Sequence, residues 1–246
     1  MRYLILSDLH ANAEALEAVV ADAANRYDRA LCCGDLVGYG ADPNTVVEWV
    51  RGNCAIVVRG NHDRACTGQD DLEWFNPVAR AAALWTQRNL STENMEYVRL
   101  LAQGPVVEDG FQVVHGSPFD EDEYVLAADE AGQAFGYLEA RLAFFGHTHV
   151  QGGFIWNRSR VETILCAAGG GETQTMEIDT GCAYLVNPGS VGQPRDGNPR
   201  AAYALYDSES RLVTYCRAAY NVESAQKKIR AAGLPPILAD RLLVGR

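Results

Sequence analysis

Positive charge is in short supply in this chain: 21 Lys and Arg stand against 32 Asp and Glu, a formal net charge of −11 over 246 residues. A protein that grips nucleic acid through its overall field needs the opposite balance, because each neutralised phosphate takes a Lys or Arg. No stable nucleic-acid partner is expected, although a local cationic site stays open where metal ions supply the charge. Long apolar runs are also missing. Tyr3-Leu4-Ile5-Leu6 stops at Ser7-Asp8, too short for a signal-peptide core, and no later stretch approaches a bilayer-spanning length. A disulfide framework is absent too. The seven cysteines (32, 33, 54, 66, 166, 182 and 216) are an odd number without a C-x-x-C pair, and most lie in apolar runs. That pattern suits buried free thiols in a reducing cytosol, so a soluble, cytoplasmic protein with no membrane partner is expected. The 48% hydrophobic content excludes disorder and supports a sizeable core.

What is present is an alternation of short apolar runs and helix-patterned segments. Strands read at 3–6, 30–33 and 55–58, with helices at 12–25 and 43–51 between them. This βαβαβ order makes parallel strands with covering helices. In 12–25, residues Ala15, Leu16, Val19, Val20 and Ala23 keep the i, i+3, i+4 spacing of an amphipathic helix, with Asn12 placed as N-cap. Each strand ends in polar residues: Ser7-Asp8-Leu9-His10, Gly34-Asp35 and Gly60-Asn61-His62-Asp63. Open parallel sheets bind ligands at the carboxyl ends of strands, so these three tips should converge. Residues 64–104 read as mainly helical, with Pro77 opening one helix and Ser91 capping another, and are expected to form an insert or lid. Beyond Pro105 come strands and tight turns: Val106–Glu108, an Asp109-Gly110 turn and 111–115, then a helix at 129–141. Further strands read at 142–145, 153–156, 161–167, 182–186, 202–206 and 212–217, and helices at 222–232 and 234–243. No flexible linker divides the halves. A single domain over 1–246 is expected, a second sheet packed on the first with helices outside.

Histidine is scarce, and all five residues, His10, His62, His115, His147 and His149, follow apolar strand-like runs. A lone histidine at a strand end is more often structural than a ligand. Five of five, accompanied by Asp8, Asp35, Asn61 and Asp63, reverse that expectation. Asp8-x-His10 offers a carboxylate and an imidazole that share one side of an extended strand. Asp35 follows a glycine that lets backbone approach closely, and its two oxygens suit it to bridge two metals. Gly60-Asn61-His62-Asp63 places amide, imidazole and carboxylate in one tight loop. The natural division there is Asn61 as ligand, His62 toward substrate and Asp63 orienting the imidazole. His115 precedes Gly116, and His147 and His149 share one side of an extended segment after Phe144-Phe145. The mixed nitrogen and oxygen donors suit two divalent ions, Mn²⁺ first and Fe or Zn²⁺ as alternatives, and lack the thiolates of a structural zinc site.

In this order, D-x-H, G-D, G-N-H-D, H-G and G-H-T-H resemble the calcineurin-like metallophosphoesterase family from Asp8 to His149, and Asn187-Pro188-Gly189-Ser190 extends the likeness toward its small bacterial and archaeal phosphodiesterase-like branch. The resemblance implies an α/β fold, a four-layer α/β/β/α sandwich of two mixed sheets flanked by helices. It also implies that Asp8, His10, Asp35 and His149 hold one metal, that Asp35, Asn61, His115 and His147 hold the other, and that His62 is the non-ligand acid. Ala11 departs from the glycine of many relatives and removes no ligand.

The expected reaction is hydrolysis of a phosphodiester or phosphomonoester on a small phosphorylated substrate. A metal-bridging hydroxide attacks phosphorus in line while His62, oriented by Asp63, protonates the departing oxygen. Arg195, at the end of the 187–195 segment, is a phosphate-binding candidate and equally a surface arginine on a structural turn; Asn12 is a substrate contact or simply the cap of its helix. Substrate specificity is expected from 64–104, with Trp74, Phe75, Arg80 and Trp85, and from the 187–200 loop. Two other classes compete. A metallo-β-lactamase-like hydrolase would show an H-x-H-x-D-H run, which is absent. A catalytically idle metal-binding scaffold or regulatory protein on the same fold would show missing histidines.

Overall fold

The computed structural model describes residues 1–166 and 173–246. Alternation within the first strand sets the order of the layers. In β1 (Arg2–Leu6), Tyr3 and Ile5 point one way and Leu4 and Leu6 the other, yet all four are buried. A strand buried on both faces belongs inside a sheet covered on both sides. Tyr3 and Ile5 join Leu31, Phe111, Phe144, Val186 and Tyr215 in a core between two sheets. Leu4 and Leu6 instead pack on Leu16, Val19, Val46 and Val50, which belong to covering helices.

The remaining elements follow in order: α1 (Ala13–Asp22), β2 (Arg29–Cys32), α2 (Pro43–Asn53), β3 (Cys54–Val57), α3 (Asn61–Cys66), α4 (Pro77–Asn89), α5 (Thr92–Arg99), β4 (Val106–Glu108), β5 (Phe111–Val113), α6 (Ala128–Phe135), β6 (Leu142–Phe144), β7 (Gly152–Trp156), β8 (Val161–Leu165), β9 (Gln174–Glu177), β10 (Ala183–Asn187), β11 (Ala201–Asp207), β12 (Leu212–Ala218), α7 (Val222–Ala231) and α8 (Pro236–Leu242). One six-stranded sheet has the order β3-β2-β1-β11-β12-β9 and the other β4-β5-β6-β10-β7-β8. Both are mixed: β1 runs parallel to β2 and antiparallel to β11, while β10 runs parallel to β6 and antiparallel to β7. On the outer face of the second sheet, Ala131 and Ala134 of α6 pack against Ala143, Phe145 and Leu185. This is the four-layer α/β/β/α sandwich. Burial of each large apolar side chain in its three contact planes contributes on the order of 1.5–3 kcal/mol.

Local chemistry fixes the helix starts. Asn12 Oδ1 accepts from the Ala15 N–H at 3.1 Å, Ser91 Oγ from that of Asn94 at 3.2 Å, and Pro77 stands in the first turn of α4. Ala83, Leu90 and Val98, within the 64–104 segment, pack in the same cluster as Leu4 and Leu6, so α4 and α5 extend the outer helical layer.

The expected elements need correction at four points. The helix read over 129–141 ends at Phe135, because buried Gln112 accepts the Glu139 and Ala140 N–H groups at 2.8 and 3.1 Å and holds the following segment as a turn. Strand β9 carries a single apolar residue, Met176, among Gln174, Thr175 and Glu177 at a sheet edge, which hid it from hydrophobic patterning. The Gly60-Asn61-His62-Asp63 loop is the start of α3. The strand read over 161–167 ends at Leu165, and Ala167 falls outside the described residues. No helix among the described residues is long and apolar enough to cross a membrane.

Candidate metal centre

Two sets of parallel strands aim their carboxyl ends at one place. From the first sheet, β1, β2 and β3 deliver Asp8 and His10, Asp35, and Asn61 to Asp63; from the second, the parallel trio β5, β6 and β10 delivers His115, His147 and His149, and the 187–195 loop. The first set is laced by backbone bonds, Asp8 N–H to Gly34 O at 3.0 Å and His10 N–H to Asp35 O at 3.0 Å. The second is pinned by Asn187, whose amide donates to Gly146 O at 2.9 Å and Thr148 Oγ1 at 3.0 Å, while Ser190 Oγ reaches across to Asp8 O at 2.8 Å. The expected extended geometry does not hold here. Asp8, His10, Asp35, His147 and His149 all have φ between 45° and 64°. Such left-handed non-glycine residues are strained, and a run of them marks a site held in shape by its surroundings.

The seven candidate ligands fall into two buried groups that share Asp35: Asp8, His10, Asp35 and His149, and then Asp35, His115 and His147, with Asn61 Oδ1 3.3 Å from His115 Nε2. Carbonyls determine which nitrogen of each ring faces inward. His10 Nδ1 lies 3.0 Å from Val37 O and His149 Nδ1 2.6 Å from Gln193 O. A carbonyl only accepts, so each Nδ1 carries the proton and each Nε2 a lone pair. Burial holds both rings well below the usual histidine pKa, and Arg195 adds to this for both. The two Nε2 lone pairs therefore face each other at 3.1 Å, with Asp35 Oδ2 3.6 Å from one and Asp8 Oδ1 3.3 Å from the other. Asp8 Oδ2 is buried without a hydrogen-bond partner, and burial raises the Asp8 pKa to about 7. Two unprotonated ring nitrogens and two carboxylate oxygens converging on one point form a donor set that fits a divalent cation.

In the second group, His115 Nδ1 lies 2.7 Å from Cys33 O and its Nε2 3.5 Å from Asp35 Oδ2. His147 is turned the other way: Nε2 bonds Asp122 O at 3.1 Å, leaving Nδ1 as its inward donor. Burial opposes a charge on His115, but the Asp35 and Asp8 carboxylates outweigh it and raise its pKa to about 10, so its proton stands where a cation would. His147, pushed down to about 3 by burial and by His115, stays neutral. Asp35 was expected to bridge with two oxygens. Instead Oδ2 alone faces both groups, while Oδ1 accepts the His62 N–H at 2.9 Å.

His62 lies beside this centre at the floor of a cleft of about 350 Å³, 5% exposed, with Nδ1 buried and unpartnered. Burial lowers its pKa to about 4, with Asp35 opposing. Asp63 does not orient the ring. Its Oδ1 accepts from Leu36 and Val37 N–H at 2.8 and 3.2 Å and its Oδ2 from Gly60 N–H at 2.9 Å, so its carboxylate ties the Asp35 loop to α3. Aromatic packing positions His62 instead: Tyr39 at 4.4 Å, His10 at 5.0 Å and Phe75 at 5.4 Å between ring centroids. Asn12 is also reassigned from substrate contact to structure, because beyond capping α1 its Nδ2 donates to Gly192 O at 2.8 Å. Arg195 is brought to the centre. Its N–H donates to His149 O at 3.1 Å, and its guanidinium lies 5.8 Å from the Tyr39 ring with Nε buried and unpartnered.

Sequence reading missed Tyr39 and Tyr124. Tyr124 stacks on His147 at 3.8 Å, and Tyr39 was signalled only by the glycines on either side of it. Of the residues flagged in 64–104, Phe75 reaches His62, Trp85 packs with the α7 and α8 cluster, Arg80 is exposed and the Trp74 side chain lies outside the described residues.

A two-sheet sandwich whose strand tips gather histidine, aspartate and asparagine around a shared carboxylate defines a metal-binding hydrolase scaffold. Residues 1–211 match the model of the calcineurin-like phosphoesterase superfamily domain, and the chain belongs to that family. It is 37% identical over 251 aligned positions to an uncharacterized protein of Methanocaldococcus jannaschii, covering 98% of this chain and 97% of that one. A metallophosphoesterase from Sphaerobacter thermophilus superposes with a TM-score of 0.86 at 40% identity, covering 100% of this chain and 99% of that one. A hypothetical protein from Pyrococcus horikoshii shares the fold at a TM-score of 0.77 and 19% identity, with coverage of 100% and 98%.

Proposed function

We propose that this protein is a dinuclear metal-dependent phosphoesterase that cleaves a small phosphodiester or phosphomonoester, with His62 as general acid. The observation that carries the reading is the pair of Nε2 lone pairs of His10 and His149 facing each other 3.1 Å apart, within a set of donors gathered on Asp35 Oδ2. When bound, two divalent ions, Mn²⁺ first by the mixed donor set and Fe or Zn²⁺ otherwise, neutralise phosphoryl oxygens and acidify water.

The chain's own residues supply the rest. Asp35 ties the two groups together and, through Oδ1, holds the backbone of His62 in place. Arg195, with its unpartnered Nε, offers a planar cation to a phosphoryl oxygen. His62, fixed by rings on three sides and adjoining the cleft, passes a proton to the departing ester oxygen. The free cysteines accord with work in a reducing cytoplasm. The deciding experiment reconstitutes the protein with Mn²⁺, Fe²⁺ or Zn²⁺ and assays a bis-aryl phosphodiester, an aryl phosphomonoester, nucleotides and phosphopeptides. Hydrolysis of at least one class is expected. Two bound ions with no hydrolysis of any would overturn the enzyme reading in favour of a regulatory scaffold.

A further inference from the structure

The phosphoryl site and the cleft next to it carry opposite charge. Arg195 lies at the phosphoryl site, its backbone N–H donating to His149 O at 3.1 Å and its guanidinium 5.8 Å from the Tyr39 ring. The cleft beyond His62 is lined by three carboxylates, of Asp70, Asp71 and Asp122, against the single guanidinium of Arg64, a surplus of two negative charges. Arg64 is already neutralised, bonded to Asp70 at 2.8 Å, to Asp122 at 2.7 Å and to Glu121. Asp71 forms no ion pair among the described residues; its Oδ1 accepts the Glu73 N–H at 2.9 Å and its second oxygen remains available. Aromatic rings complete the wall. Phe75 packs edge-on to His62, and Tyr124 stacks on His147 while 44% exposed.

Carboxylates interleaved with aromatic faces attract an organic cation and repel a further phosphate. We propose that this cleft selects a leaving alcohol bearing an alkylammonium group. The substrate class is then a phosphate ester of an amino alcohol, rather than a polyphosphate or a nucleic acid. This deepens, and rests on, the phosphoesterase reading. In the reaction, water adds to phosphorus and the P–O bond to the amino alcohol breaks. The departing oxygen takes its proton from the His62 imidazolium, and the proton lost by water restores that cation.

The test compares methyl phosphodiesters of three alcohols on the metal-loaded protein, with alcohol release followed by NMR. The alcohols are choline, its neutral isostere with tert-butyl in place of trimethylammonium, and a hydroxy acid of similar length. A bis-aryl phosphodiester is run alongside. The choline ester should exceed the isostere in kcat/KM by roughly tenfold, the upper part of the range for a cation on aromatic faces, and the hydroxy acid ester should be poorest. Asp71→Asn, which keeps the Oδ1 acceptor, should shrink the choline-to-isostere ratio about threefold. Equal rates for choline and isostere, with the aryl diester still cleaved, overturn the inference and leave the phosphoesterase standing. So does a preference that Asp71→Asn does not change. Failure to cleave any ester, the aryl diester included, overturns both.

Discussion

Gly60→Ala isolates the geometry of the shared carboxylate. Gly60 has φ −105° and ψ 176°, an extended conformation open to any residue, so alanine adds no backbone strain. What it adds is a methyl group whose Cβ would sit 2.1 Å from Asp35 Oδ1 and 2.7 Å from Asp35 Cγ. Carbon and oxygen settle at about 3.5 Å, so Asp35 must retreat by roughly 1.4 Å or α3 must move with its Asn61 and His62. Either motion is a large part of a metal–ligand bond of about 2.0–2.2 Å. It also breaks the alignment of Oδ2 with His10 and His115, which lie 3.6 and 3.5 Å away. We expect metal affinity to fall by about 100-fold or more, and turnover with it, for an overpacking cost of about 1–3 kcal/mol in stability. Titration calorimetry and elemental analysis measure the ions, and circular dichroism confirms the fold. Gly52→Ala is the control, since nothing lies within 4 Å of its Cβ in α2 and helix propensity predicts a gain of about 0.5–1 kcal/mol. If Gly60→Ala binds two ions with unchanged affinity, Asp35 is not the shared ligand.

The other predictions separate groups that lie close in sequence. His62→Ala should lower turnover by about 10²–10⁴ with metal content intact, as expected for an acid that is not a ligand; loss of an ion would sink that assignment. Asp63→Ala strips three buried N–H groups of their acceptor. At about 1–3 kcal/mol for each orphaned donor the loss is at least about 3 kcal/mol, or roughly 6–12 °C in Tm for a chain of this size. An inactive variant that melts like the parent would reinstate Asp63 as the group acting on His62. Chelation followed by Mn²⁺ at about 1,000 times its Kd should restore about 4 kcal/mol of stability in denaturant unfolding. Identical unfolding curves with and without metal would contradict the donor sets described above.

The strand-and-helix order was legible because β1 to β3 and their helices keep clean period-two and 3.6-residue patterns, and polar residues following each strand marked where a ligand site would gather. The seven candidate ligands could be named from the same motifs, since each motif is local. The fine structure was not local. That Asp63 serves the backbone of Leu36 and Val37 depends on contacts 27 and 26 residues away. That His147 turns inward by Nδ1 depends on a carbonyl 25 residues back. The left-handed backbone at Asp8, His10 and His149 was invisible because those residue types carry no requirement for it, as glycine would. Strand β9 and the helix end at Phe135 were lost for the reverse reason: their local patterns were overruled by an edge position and by the amide of Gln112.

The meeting of His10 with His149 joins points 139 residues apart in the chain, one from each sheet. Any ion held there is a cross-link across the sandwich, comparable in topology to a disulfide closing a loop of that length. Such closure removes roughly 5 kcal/mol of unfolded-state entropy in the chain model. An ion held there would thereby clasp the sheets at one end only. Its loss would loosen the strand tips while the aromatic interior around Tyr3, Phe111 and Phe144 keeps the far end shut. The candidate metal centre is thus the side that opens, and metal occupancy and local rigidity there are thermodynamically linked.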